Sequence, residues 1–164
     1  MTIAELIKAR GSYALRKIKS SESVLAAIEL MNQHRVGCLI VEGDDGKNGI
    51  LSLRDIARKA HGSGKSADQL KVGEIAEFNL VTVSENQQMT DAAGLIKSHH
   101  VRHLPVTDAA GGVSHVLTVK DLLEQFLIRI APGVLQNAET RKLGAAAFDE
   151  LVDGFEEVLK RSRS

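Results

Sequence analysis

Two short segments of this chain carry residue types suited to recognising a small polar ligand: Ser52-Leu53-Arg54-Asp55 and Thr118-Val119-Lys120-Asp121. Each sets a hydroxyl three residues before a carboxylate, with a cation beside the acid. A helix starting at such a segment leaves backbone N–H groups open and presents a positive dipole end, so hydroxyl and carboxylate both serve as caps. Capping accounts for either segment taken alone. Two copies, each with its own cation, offer more. A carboxylate accepts hydrogen bonds from two adjacent ribose hydroxyls, while open N–H groups and a neighbouring Arg54 or Lys120 favour phosphate. Sugar beside phosphate is the chemistry of a nucleotide.

The elements that must position these residues are themselves duplicated. The signatures lie 66 positions apart (118 − 52 = 66), and upstream the copies run in step at 65, pairing Met31 with Ile96 and Val41 with Val106 (106 − 41 = 65). The one-residue slip is expected inside a turn. A unit this long, present only twice, reads as two halves completing one core with a cleft between them. Ile3, Leu6 and Ile7 predict an opening helix closed by Gly11-Ser12. Then come a strand over Tyr13 to Ile18 and a helix capped by Ser20 or Ser21, with Val24, Ala27, Ile28 and Met31 as its apolar stripe, ending near His34. A buried strand over Gly37 to Val41 follows, then a Gly43-Asp44-Asp45-Gly46 turn and a return strand at Gly49 to Leu51. The second copy gives a strand at Leu80 to Val83, a helix carrying Met89, Ala92, Ala93 and Ile96, strands at His103 to Val106 and Val113 to Leu117, and a helix from Val119. The fold class is α/β: two β-α-β-β-α repeats plus a helical C-terminal segment.

The 164 residues, 43% hydrophobic, suit one cooperative body. Twenty-one basic and twenty-one acidic residues cancel, so no global field draws nucleic acid or anionic lipid, and no window approaches the length of a membrane span. A cytoplasmic protein is expected, without nucleic-acid or membrane partners. The lone cysteine, Cys38, sits in an apolar run and reads as a small buried hydrophobe. Gly64-Lys65-Ser66 is not a P-loop, because Lys59 stands where a glycine is needed and a helix precedes it where a strand is required. His99, His100 and His103 lack a completing carboxylate or cysteine, so no metal site is expected. No arrangement of nucleophile and base supports catalysis. Phe148, Leu151, Val152 and Phe155 give the Val134 to Lys160 segment an apolar stripe, to be covered by its own domain, a dimer mate or a partner protein.

The halves resemble a pair of cystathionine-beta-synthase-type (CBS) domains, the regulatory unit known as a Bateman module. Gly49-Ile50-Leu51-Ser52-Leu53-Arg54-Asp55 is similar to that family's glycine, two apolar residues, Ser or Thr, two variable residues and aspartate. His34-Arg35-Val36-Gly37 and Val101-Arg102-His103-Leu104-Pro105-Val106 look like the segments preceding it. The resemblance spans roughly Tyr13 to Leu127. It implies pseudo-twofold packing and clefts for AMP, ADP, ATP, S-adenosylmethionine or NAD(H). Asp55 and Asp121 would hold ribose, Ser52 and Thr118 would approach ribose or phosphate, Thr82 would lie beside the base, and Arg54, Arg102, His103 and Lys120 would face phosphate.

The expected division is an N-terminal helix (1–12), CBS domain 1 (13–62), a connector (63–79), CBS domain 2 (80–131) and a C-terminal extension (132–164). The chain departs from the pattern at three places. His115 stands where the first copy has Gly49, Lys17 where the second has Thr82, and Gly37-Cys38 where the second has Arg102-His103. The clefts are therefore unequal, with at most one strong nucleotide site expected. The resulting expectation is a non-enzymatic, homodimeric sensor that needs no cofactor for chemistry. The alternative is a ligand-free scaffold that dimerises and holds a partner through its C-terminal helix.

Overall fold

The computed structural model describes residues 1–11 and 15–130. The C-terminal helical segment expected from the sequence lies outside them, as do the first residues of the strand expected at Tyr13. The chain divides into two compact units between Leu117 and Thr118. The first, from Met1, contains nearly everything described. The second begins with Thr118 and α6 (Val119–Ile130).

In the first unit, α1 (Ile3–Arg10) opens the chain with a complete capping box: the Thr2 hydroxyl accepts from Glu5 N, and the Glu5 carboxylate accepts from Thr2 N. The first half then runs β1 (Lys17–Lys19), α2 (Val24–His34), β2 (Cys38–Glu42), β3 (Asn48–Ser52) and a helical turn α3 (Leu53–Asp55). β2 is central, parallel to β1 (Lys17 opposite Ile40) and antiparallel to β3 (Cys38 opposite Ser52). Leu39, Val41 and Leu51 face one core with Val24, Ala27 and Met31 of α2. Ile40, on the opposite face of β2, is equally buried, so the strand has no wet side and reads as an unbroken apolar run.

The second half repeats the order with α4 (Val72–Ile75), β4 (Val83–Ser84), α5 (Met89–His99), β5 (His103–Thr107) and β6 (Val113–Thr118), the sheet order being β4-β5-β6. Its first strand is cut short, and Pro105 explains why. In the first half the Ile40 amide donates to the Arg16 carbonyl at 2.9 Å. Pro105 stands at the equivalent place and has no N–H, so β4 pairs with β5 only from Val83 opposite Val106 onward.

The two short helices dock crosswise. Segment 70–73 serves the first half: Val24 N donates to Leu70 O, Val72 N to Glu22 O and Gly73 N to Ser20 O, at 2.8–2.9 Å. Residues 1–4 repeat this on the second half, where Met89 N donates to Met1 O, Ile3 N to Gln87 O and Ala4 N to Glu85 O, at 2.9–3.0 Å. Each half is thus finished by a segment that precedes the other. Val24 and Met89 open α2 and α5, where an amide has no partner within its own helix, so these bonds satisfy groups the helices leave over.

Several expectations are corrected. Ser23 caps α2, its Oγ accepting from Ala26 N at 3.1 Å, while Ser20 turns its hydroxyl to Asp44 Oδ1 at 2.9 Å. The slip between copies does not fall in the turn. Gly43 N to Lys47 O in one hairpin matches Asp108 N to Gly112 O in the other, still 65 apart, so the extra residue belongs to β6. β1 begins only at Lys17. The helix expected after Ser52 continues from α3 as a wide π turn over Ile56–Ala60 and a 3-10 turn over His61–Ser63. The expected connector also contains α4, whose Val72 and Ile75 are buried in the first core beside Leu70.

Candidate ligand-binding site

The first signature is built where β3 hands over to α3. Ser52 ends the strand opposite Cys38, and Leu53 N donates to the Gly37 carbonyl at 3.0 Å, so β2 fixes the direction in which the helical turn leaves. The box is reciprocal. Asp55 N donates to Ser52 Oγ at 3.2 Å, and Asp55 Oδ2 accepts from Ser52 N at 3.0 Å and Ser52 Oγ at 2.5 Å. Both bonds to the carboxylate use one oxygen. The other, Oδ1, lies 4.0 Å from the Lys59 ammonium, which itself donates to the Ile75 carbonyl at 2.9 Å. Asp55 remains 26% exposed at its side chain, so the second oxygen can be approached.

Behind the box sits Cys38. Burial, with the Asp55 charge adding to it, pushes its thiol up to about 12, so the group is a neutral thiol at physiological pH, in line with its reading as a small hydrophobe. His103, at the start of β5, closes the same neighbourhood: a Cβ placed on Gly37 would stand 3.6 Å from His103 Nε2. Gly37, Cys38, Ser52, Asp55 and His103 are therefore gathered from both halves. Arg54 and Arg102 are exposed, and so is Thr82, which Pro105 leaves outside β4.

The second signature repeats the bonding. Thr118 N and Thr118 Oγ1 both donate to Asp121 Oδ2 at 2.7 Å, and Asp121 N donates to Thr118 Oγ1 at 3.3 Å. Asp121 is more deeply buried, 7% exposed, while Lys120 is exposed. The glycine of the first copy answers to packing. A Cβ on Gly49 would fall 2.8 Å from the Phe78 ring and 3.0 Å from the Glu77 carbonyl, because residue 77 pairs with Ile50. His115, in the second copy, shares the face of Leu117, and its buried Nδ1 has no hydrogen-bond partner among the described residues. Sequence reasoning missed Phe78 and Lys59. Neither belongs to the repeat's short signature, though a glycine at 49 inside a strand was a sign that something packs against it.

A CBS-domain family model matches residues 14–62 and 72–128, the two halves described above. The chain belongs to the CBS-domain family. The mitochondrial CBS domain-containing protein CBSX3 of Arabidopsis thaliana is 31% identical over 123 residues, covering 70% of this chain and 60% of that protein. The protein MK0525 of Methanopyrus kandleri is 26% identical over 118 residues with the same coverage, so the chain spans about 60% of the length of these curated relatives. Among solved structures, the CBS domain protein NE2398 superposes with a TM-score of 0.71 at 32% identity, over 77% of this chain and 98% of that one. PAE2072 of Pyrobaculum aerophilum, a CBS domain protein complexed with AMP, shares the fold at a TM-score of 0.67 and 22% identity, over 81% of this chain and all of that one. The chain therefore carries a CBS-domain pair. Among its described residues no helix is long and apolar enough to cross a membrane.

Proposed function

We propose that this CBS pair is a sensor that binds an adenosine-containing ligand (AMP, ADP, ATP, S-adenosylmethionine or NAD(H)) at its duplicated helix starts and signals occupancy through dimer or partner contacts without transforming the ligand. The observation that carries the reading is the division of labour in the Asp55 carboxylate. Oδ2 closes the capping box, while among the described residues Oδ1 accepts no hydrogen bond and lies 4.0 Å from the Lys59 ammonium, an arrangement suited to accepting from ribose. The AMP held by PAE2072 agrees with it. Asp55 and Asp121 take ribose in this reading, Ser52 and Thr118 approach ribose or phosphate, Thr82 lies beside the base, and Arg54, Arg102, His103 and Lys120 serve phosphate. Regulation follows if the ligand prefers one of two arrangements of the assembled protein.

A thermal-shift screen of the full chain with these ligands at millimolar concentration tests the reading. At least one raises the melting temperature, since binding to the folded state alone stabilises it by mass action. No shift with any of them contradicts it. The scaffold reading draws support from the same boxes, because capping alone explains Ser52 and Asp55. Removing residues 132–164 separates the two: a sensor keeps its ligand response, whereas a scaffold has no response to lose and forfeits dimer or partner.

A further inference from the structure

The two hairpin turns provide an internal comparison. Gly46 N donates to Gly43 O at 3.1 Å and Gly43 N to Lys47 O at 2.9 Å; in the second turn Gly111 N donates to Asp108 O at 3.0 Å and Asp108 N to Gly112 O at 2.9 Å. The backbone is the same and the contents differ. Ala109, Ala110 and Gly112 fill the second turn where the first has Asp44, Asp45 and Lys47, so the fold does not require those charges. A hollow of about 520 Å³ opens beside the charged turn. Lys71, Gly73, Glu74, Ser20 and Phe78 complete its lining.

Two glycines of its lining are required by close packing. A Cβ on Gly43 would lie 2.8 Å from the Lys47 carbonyl and 3.0 Å from the Phe78 ring, and one on Gly73 would lie 3.1 Å from Ser20 Cβ. Most charges along the rim are matched: Lys47 pairs with Asp45 at 3.2 Å, and Glu74 takes the Lys65 ammonium and the Lys71 amide. Two further charged groups, of opposite sign, line the hollow. Together with the Lys65 ammonium, the Lys71 charge helps to hold the Glu74 carboxyl below its usual range, but the Lys71 ammonium is in no ion pair or hydrogen bond among the described residues, and Asp44 is oriented through Oδ1 by the Ser20 hydroxyl, leaving Oδ2 for another donor.

We propose that this hollow is a second ligand site and takes a free α-amino acid with an apolar side chain. Its carboxylate pairs with Lys71, its ammonium with Asp44, and its side chain lies on the Phe78 ring. The volume falls within the ~300–1,000 Å³ of small-molecule sites. The proposal is independent of the adenosine reading: the hollow lies at the Glu42–Asn48 end of the first sheet, whereas Cys38 and Ser52 pair at the other.

The experiment is calorimetric titration of the full chain with leucine, methionine and phenylalanine, followed by leucinamide and N-acetyl-leucine, each of which lacks one of the two charges. Saturable binding of at least one free amino acid is expected. Each blocked derivative, and each of the variants Lys71→Met and Asp44→Asn, should bind at least about tenfold more weakly. Asp55→Ala should leave the affinity unchanged. The proposal is overturned if no free amino acid binds, if blocked and free forms bind alike, if both variants retain wild-type affinity, or if Asp55→Ala abolishes binding.

Discussion

At the scale of single residues, Asp55 and Cys38 are coupled through their surroundings, and each yields a measurement. Ser52→Ala removes the hydroxyl that accepts from Asp55 N and should cost about 1 kcal/mol in urea denaturation, the usual worth of a helix cap. An unchanged midpoint would show that the box does not hold α3. The Cys38 thiol, pushed up to about 12 in the folded state from an ordinary value of 9.0, binds its proton more tightly there than in the unfolded chain. Its contribution to stability is therefore complete below pH 9, declines above it as the unfolded thiol ionises, and is lost by about 12. Relative to wild type, Cys38→Ala should lose less stability between pH 8 and pH 11, and native protein at pH 8 should resist iodoacetamide until it is unfolded. Fast alkylation of the native state would contradict the burial.

At the scale of elements, Gly49 and Phe78 form one packing unit. Gly49→Ala forces a methyl onto the ring and should destabilise by about 1–3 kcal/mol, and in the Phe78→Leu background the penalty should shrink. Strict additivity in that double-mutant cycle would refute the contact. Pro105 gives a second test. Pro105→Val supplies the missing amide, so β4 should extend back to Thr82, and hydrogen exchange should show slow exchange at position 105. Fast exchange there would mean that something besides the absent N–H shortens the strand.

The same elements show where the sequence could be read and where it could not. Apolar periodicity located α2, α5 and the buried β2 and β5, because each presents a face whose pattern is set by a core. α4 stayed hidden because it is four residues long and its burial depends on contacts with Glu22 and Ser20, distant in sequence. The choice of Ser23 over Ser20 as the cap was equally invisible, since three nearby serines fit the rule and only the Asp44 side chain decides which is engaged elsewhere. At the candidate site the signatures were legible as cap and carboxylate. The partition between Oδ1 and Oδ2 was not, being a matter of side-chain angles.

At the scale of the whole molecule, the crosswise docking of α1 and α4 binds the halves of the first unit into one cooperative system. Leu6 is fully buried, so Leu6→Ala should cost roughly 2–5 kcal/mol and lower a single transition seen alike by probes in either half. Separate transitions would contradict the interlock. The functional account makes its own demand: a module built on two copies of one helix start should recognise the part of the ligand that those starts can grip.

Calorimetric titration of the full chain with an adenine ribonucleotide and its 2′-deoxy counterpart tests that demand most directly. The account predicts saturable binding of the ribonucleotide, roughly tenfold or greater weakening when the 2′-hydroxyl is removed, and loss of binding in Asp55→Ala or Asp121→Ala. Equal affinity for ribo and deoxy forms, or undiminished binding in both variants, would contradict it.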